Sequence, residues 1–134
     1  MAEMIRNPHA LAKAQSEIRK AFMGKATITE ETDLQELKYL KMVIKETLRM
    51  HPTGAILVPR ECREECEIDG YLIPVKTRVL VNAWALGRDP EYWDGPEGFR
   101  PERFENKFVD FAGTHFGYLP FSTGRRISQE SHLV

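Results

Sequence analysis

Apolar and polar positions recur at helical spacing over Asp33–Met50 (DLQELKYLKMVIKETLRM), and the rest of the chain is arranged around this stretch. At about 100° per residue, Leu37, Leu40, Ile44 and Leu48 fall on one face and Tyr39, Met42, Val43 and Met50 on another. Lys38, Lys41 and Lys45 share one narrow stripe. The spacing predicts a helix that Asp33 caps, with Glu36 completing a capping box and Pro52 ending it by forcing the preceding residues toward extended geometry. A helix with one thin charged stripe is mostly buried. Glu46 projects among Tyr39, Met42, Val43 and Met50, and a carboxylate in such a place needs a partner. Arg49, three residues on, is within reach. Two readings fit: a buried Glu46–Arg49 pair, which the pattern favours, or an ordinary ion pair on a helix surface.

The flanks follow from the same kind of reading. Met1 to Ile5 reads as the last turn of a helix or a frayed end. Asn7-Pro8 starts another, with Asn as cap and Pro at the first helical position. Leu11, Ala14, Ile18, Ala21 and Phe22 keep one apolar face, Gly24 marks the stop, and 25–32 is a link with a short helical turn near Thr29–Thr32. The run Gly54–Pro59 is apolar without alternation, so it is expected to be extended and buried, or to line a pocket. Asp69-Gly70 inside Cys66–Ile73 predicts a hairpin. Arg78–Ala85 (RVLVNAWA) predicts a strand from its β-branched and aromatic content, and Asp89-Pro90 opens one helical turn. From Asp94 onward periodicity gives way to Gly and Pro punctuation with aromatics from Tyr92 to Phe121. So long an irregular segment in a compact domain is normally functional, and its aromatics suggest a coil packed on something flat or apolar.

Bulk properties narrow the class. The 134 residues carry 20 acidic and 19 basic side chains, a formal charge of −1. The basic residues do not cluster, so no nucleic-acid partner is indicated. No apolar run reaches the length needed to cross a bilayer, and no secretory signal pattern opens the chain; MAEMIRNP reads as the middle of a longer protein. Two cysteines, Cys62 and Cys66, do not make a disulfide scaffold. Cys-x3-Cys could seed a metal site, but no second ligand pair follows, which favours two incidental thiols.

Taken together and in order, four motifs resemble the C-terminal part of a cytochrome P-450, a haem-thiolate monooxygenase, of the plant microsomal type. Glu46-Thr-Leu-Arg49 resembles the family's E-x-x-R; Phe99-Arg-Pro-Glu-Arg-Phe104 resembles the P-E-R-F of its meander; Pro120-Phe-Ser-Thr-Gly-Arg-Arg126 resembles the start of its haem loop; and His51-Pro52 with Val58-Pro-Arg60 is similar to the segment leaving its K helix. The resemblance covers residues 1–127 and leaves 128–134 as a divergent tail. It implies an α+β, mainly α, partial cytochrome P-450 fold: J and K helices, a small β-sheet, the meander and the beginning of the haem-binding loop. It also implies a structural triad of Glu46, Arg49 and Arg103 that fixes the meander to the core. Arg60 and Arg126 would face the haem propionates, where a guanidinium forks onto a carboxylate; read from the residues alone, both could equally be solvated surface arginines. Phe121 and Gly124 would pack at the haem, and Thr53, Gly54, Ala55, Ile56, Leu57 and Val58 would line a pocket for an apolar small molecule. The intact family type works with an NADPH-dependent reductase at the endoplasmic reticulum membrane.

The chain departs from the pattern at one place that matters chemically. Ser128 stands where the family has its haem-ligating cysteine, Glu130 replaces a glycine, and nothing after Ile127 resembles the family. The family's iron needs a thiolate to drive O–O cleavage, and a serine hydroxyl is hard, neutral and protonated near pH 7. His115 and His132 are not placed by any motif, and no residue of this chain is assigned as a metal ligand or catalytic group. The oxygen-activating helix, the helices over the other haem face and a membrane anchor are also absent from the match. The expectation is an inactive piece of a haem monooxygenase, ended by a frameshift, an alternative splice or an aberrant gene model. The competing expectation is a non-catalytic truncated product that folds poorly or associates with other proteins through apolar surface. Arg125-Arg-Ile-Ser128 also has the look of a basophilic kinase site, although the haem loop explains its arginines better.

Overall fold

The computed structural model describes residues 2–23, 36–105, 109, 111 and 115–123. Among the described residues three helices come first: α1, Ala2–Arg6; α2, Pro8–Ala21; and α3, Lys38–Met50. Two antiparallel ribbons follow. Strands β1 (Arg60–Glu61) and β4 (Arg78–Val79) pair with Arg60 opposite Val79, while β2 (Cys66–Ile68) and β3 (Tyr71–Ile73) pair with Ile68 opposite Tyr71. A short helix α4 (Ala83–Leu86) and a 3-10 turn at Pro101–Phe104 complete the order.

The faces of α3 divide largely as the periodicity predicts. Tyr39, Val43, Glu46, Arg49 and Met50 are buried, while Lys38 and Lys41 are exposed. Lys45 leaves the stripe: half-buried, it donates through Nζ to the Val109 carbonyl at 2.6 Å. The start of the helix differs from expectation. It begins at Lys38, with Leu37 at the cap position and no cap bond from the Leu37 side chain. Its free N–H groups are served from α2 instead. Glu17 Oε1 accepts from Tyr39 N at 2.8 Å and Oε2 from Leu40 N at 2.9 Å. A negative carboxylate suits that position because unpaired N–H groups and the helix dipole both favour an anion there.

Asn7 also acts otherwise than expected. Its side chain makes no cap bond to α2 but donates to the Glu3 carbonyl at 2.8 Å, closing α1. Helix α2 ends at Ala21, before Gly24. The largest correction concerns 78–85. Only Arg78 and Val79 pair in a ribbon; Asn82 then caps α4, its Oδ1 accepting from Ala85 N at 3.0 Å. An Asx cap followed by Ala-Trp-Ala-Leu favours a helical turn, and it overrides the β-branched lead-in. Residues 54–59 are extended, with Ile56 bridged to Asn82, but only Leu57 is buried. The Asp69-Gly70 turn forms, both residues at positive φ of 51° and 80° as a two-residue hairpin requires. Asp89-Pro90 opens one turn of helical spacing, the Asp89 carbonyl accepting from Tyr92 N at 3.2 Å and from Trp93 N at 3.0 Å. The Gly24 stop, the 25–32 link, the Asp33 cap and Phe108 lie outside the described residues.

The aromatics of the irregular segment pack on one another and on α3. Trp93, Phe104, Val109 and Tyr118 form one buried cluster with Met42 and Phe111 at its edge. Ring centroids lie 5.6 Å apart for Trp93–Phe104 and 5.5 Å for Phe104–Tyr118, within the range where tilted aromatic pairs attract. A second cluster joins Ala14 to Tyr39 and Val43 across α2 and α3, and a third joins Leu57, Ala83 and Leu119. The coil is thereby bound to the helix that carries Glu46.

Candidate functional site

Glu46 is fully buried and its carboxylate gathers four donors. Oε2 accepts from Arg49 Nε at 2.8 Å; Oε1 accepts from Arg49 Nη2 at 2.9 Å, from Arg103 Nε at 3.0 Å and from the Arg100 backbone N–H at 2.8 Å. Arg49 therefore forks onto the carboxylate from its own helix, and Arg103 reaches it from the 3-10 turn. The remaining guanidinium N–H groups go to backbone carbonyls. Arg49 Nη1 donates to Gly87 and Nη2 to Gly98. Arg103 Nη1 donates to Asp94 at 2.8 Å, and Nη2 to Gly95 at 3.3 Å and Gly98 at 3.1 Å. A buried charge is tolerable when its polar atoms are satisfied in this way.

Packing holds the cluster in place. Arg49 and Arg103 both lie over the Trp93 ring, with Cζ 5.5 and 5.9 Å from its centroid, and Trp93 Nε1 donates to the Gly117 carbonyl at 3.0 Å. A Cβ on Gly87 would collide with the Arg49 carbonyl oxygen, so only glycine lets the turn after α4 approach the end of α3. The Tyr118 hydroxyl donates to the Lys45 carbonyl at 3.1 Å. Burial first, and the Glu46 carboxylate second, raise the Tyr118 pKa, with Arg49 opposing.

The site residues singled out from the sequence are placed as follows. Glu46, Arg49 and Arg103 are brought together. Arg60 is half-buried, and its Nη2 donates to Ser122 Oγ at 3.2 Å and to the Thr123 carbonyl at 2.9 Å, so it sits at the start of the 120–126 loop. Phe121 is buried against Phe111, centroids 5.8 Å apart. In the extended run, Thr53 Oγ1 donates to the Pro120 carbonyl at 2.9 Å, Ala55 accepts from Trp84 N, and Leu57 packs on Ala83 and Leu119. Gly54 is half-buried, Ala55 exposed, and Ile56 and Val58 are 57% and 70% exposed. Gly124, Arg126 and Ser128 lie outside the described residues.

Several contributors carried no local sequence signal. The Arg100 N–H and the carbonyls of Gly87, Asp94, Gly95 and Gly98 are backbone groups, invisible to side-chain pattern. Glu17 acts across 22 positions. Trp93 could have been suspected as a tryptophan in the turn that opens the coil.

A haem fits one part of this arrangement and not another. A cleft of about 550 Å³ beside Arg60 is lined by Pro59, Glu61, Arg63 and Arg78 as well, so three guanidiniums flank it against one carboxylate. That suits the carboxylate edge of a porphyrin. The family's iron takes a thiolate, and the chain's two cysteines, Cys62 and Cys66, lie on the ribbons and not in the 120–126 loop. Among the described residues no group of three or more His, Cys, Asp or Glu could hold a metal. The Cys62 and Cys66 sulfurs face each other at 3.7 Å on the ribbons.

A buried helical carboxylate shared by its own arginine and one from a distant coil is the arrangement that the resemblance to cytochrome P450s implies. The family model described as Cytochrome P450 matches residues 1–127, and the chain belongs to that family. Over 127 residues it is 66% identical to premnaspirodiene oxygenase of Hyoscyamus muticus and 61% identical to 5-epiaristolochene 1,3-dihydroxylase of Nicotiana tabacum, covering 95% of this chain in the first comparison. It spans about a quarter of the length of those curated relatives, 25% in each. A zebra fish cytochrome P450 structure with progesterone superposes with a TM-score of 0.83 at 32% identity, over 98% of this chain and 29% of that one. The α+β architecture is thus a partial cytochrome P450 fold.

Proposed function

We propose that this chain is the meander-bearing piece of a plant haem monooxygenase, and that as it stands it does not carry out the reaction. In the intact protein such a piece would help insert one oxygen atom of O2 into an apolar small molecule, with electrons from an NADPH-dependent reductase at the endoplasmic reticulum membrane. Support comes from the family match, and from relatives whose names describe an oxygenase and a dihydroxylase. The Glu46–Arg49–Arg103 cluster would hold the coil so that the following loop meets the haem, with Arg60 and Arg126 toward its propionates and Thr53–Val58 along the substrate.

The inactivity rests on the sequence resemblance, which puts Ser128 at the thiolate position. A protonated hydroxyl donates little charge to iron, so this chain would not drive O–O cleavage. The test is to express the chain, add haemin, reduce it and record the carbon monoxide difference spectrum. No thiolate-type Soret band is expected; its appearance would overturn the reading. Comparing transcripts with genomic sequence tests the tail: a cysteine codon in frame in every transcript would make 128–134 an artefact.

A second reading is favoured by a separate observation. Ile56, Val58, Leu80, Trp84 and Phe116 are between 48% and 70% exposed. Where such side chains adjoin, exposed apolar surface marks contact with other proteins or aggregation. Under this reading the chain is a non-catalytic truncated product that associates through these residues. Sedimentation that stays monomeric at high protein concentration would remove it. Among the described residues no helix is long and apolar enough to cross a membrane.

A further inference from the structure

We propose that Cys62 and Cys66 form a redox-active dithiol, a modification site that a low-molecular-weight disulfide closes to an intramolecular bridge. The proposal is independent of the haem reading. It rests on where the backbone puts the two sulfurs. Cys62 extends the β1–β4 ribbon, its N–H donating to Thr77 at 2.9 Å and its carbonyl accepting from Lys76 N at 2.8 Å. Cys66 begins the other ribbon, opposite Ile73. Arg63, Glu64 and Glu65 lead from the first ribbon to the second and residues 74–77 lead back, and the backbone pairing on either side turns both sulfurs into the same gap, 3.7 Å apart. A further 1.7 Å or so of approach, available to side-chain rotation, reaches the disulfide bond length of about 2.05 Å.

Their access differs. Cys66 is exposed, and Cys62 is half-buried with Sγ 2.8 Å from the Glu64 carbonyl and 4.0 Å from that of Ile73. Cys66 is therefore the sulfur an incoming reagent meets, and Cys62 the one behind it. In the first step the Cys66 thiolate attacks one sulfur of the small disulfide. A Cys66 mixed disulfide forms, the reagent's S–S bond breaks, and the leaving thiolate takes up a proton. In the second step Cys62, having released its proton to water, attacks Cys66 Sγ; the protein disulfide forms and the second small thiol leaves. Two protein thiols are oxidised by two electrons and one small disulfide is reduced to two thiols. Exchange of this kind proceeds through thiolate attack and is governed by access as well as acidity.

The test equilibrates the full chain in glutathione buffers of varied thiol-to-disulfide ratio, in native buffer and in concentrated urea. Free thiols are then trapped by alkylation and the tryptic peptides weighed. Trypsin cuts after Arg60, Arg63 and Lys76, so a Cys62–Cys66 bridge joins two peptides that reduction separates. Native protein is expected to give this linked pair with little glutathione adduct, at an effective concentration about tenfold or more above that in urea, because the ribbons hold the sulfurs together. In Cys62→Ser, Cys66 should instead retain glutathione. Three results would each overturn the proposal: a persistent Cys66–glutathione adduct with Cys62 still alkylated in the parent chain, cross-links between chains in place of the linked pair, or equal bridge formation in native buffer and urea.

Discussion

Replacing Glu46 by alanine tests the central physical claim, that one buried carboxylate holds a distant coil to α3. The substitution removes the acceptor of four donors. Arg49, whose side chain is fully buried, keeps its bonds to the Gly87 and Gly98 carbonyls but loses its counter-charge. Arg103, 7% exposed at the side chain, loses its ion pair and keeps its carbonyl partners. Breaking a buried pair from one side costs about 3–5 kcal/mol, because the stranded charge is the larger part of the penalty. An unfolding entropy of about 2.1 cal/mol/K per residue gives about 0.28 kcal/mol/K for 134 residues, so Tm should fall by about 11–18 °C. Thermal melts by far-UV circular dichroism read this directly. A double-mutant cycle with Arg103→Ala isolates the link to the coil and should show a coupling of about 1 kcal/mol or more. A Tm drop below about 4 °C for Glu46→Ala, or zero coupling to Arg103, would refute the argument.

Other consequences can be checked on the same material. Gly87→Ala forces a methyl group against the Arg49 carbonyl and should destabilise by about 1–3 kcal/mol in urea titrations. Glu17→Ala strips the N–H groups of Tyr39 and Leu40 of their acceptors and should lower the urea midpoint by the equivalent of about 0.5–2 kcal/mol, with Glu17→Gln intermediate. Burial, then the hydrogen bond to Glu102 and the charges of Glu102 and Glu17, push the Tyr39 pKa from 10.0 up to about 12. The unfolded chain ionises first, so the contribution of Tyr39 is whole below pH 10 and is lost between pH 10 and about 12; Tyr39→Phe should shrink this alkaline decline in stability–pH curves.

What could be read from the chain and what could not divide along physical lines. The burial of Tyr39, Val43 and Met50, and the Glu46–Arg49 pairing, follow from angles around a single helix, which spacing encodes completely. The Asp69-Gly70 turn was legible because only a few residue types tolerate its positive φ values. The expected strand at 78–85 forms only at Arg78 and Val79 and gives way to helix from Ala83, because Asn82 offers a side-chain acceptor to Ala85 N, a local bond that residue-by-residue propensity does not count. The cap on α3 was invisible because its donors and the Glu17 carboxylate come from different helices. Of the candidate site, the motif residues were legible one by one. The backbone carbonyls that complete the cluster were not, since every residue type carries one.

The Arg100 amide proton has an unusual address. It belongs to irregular coil, outside any helix or ribbon, yet it is given to Glu46 Oε1 inside the core. Exchange with heavy water at that amide cannot proceed by fraying of the coil alone, because the carboxylate it touches is also clasped by two guanidiniums. Its isotope label should therefore wash in as slowly as those of mid-helix amides in α3, making a loop amide the clock for opening of the whole assembly.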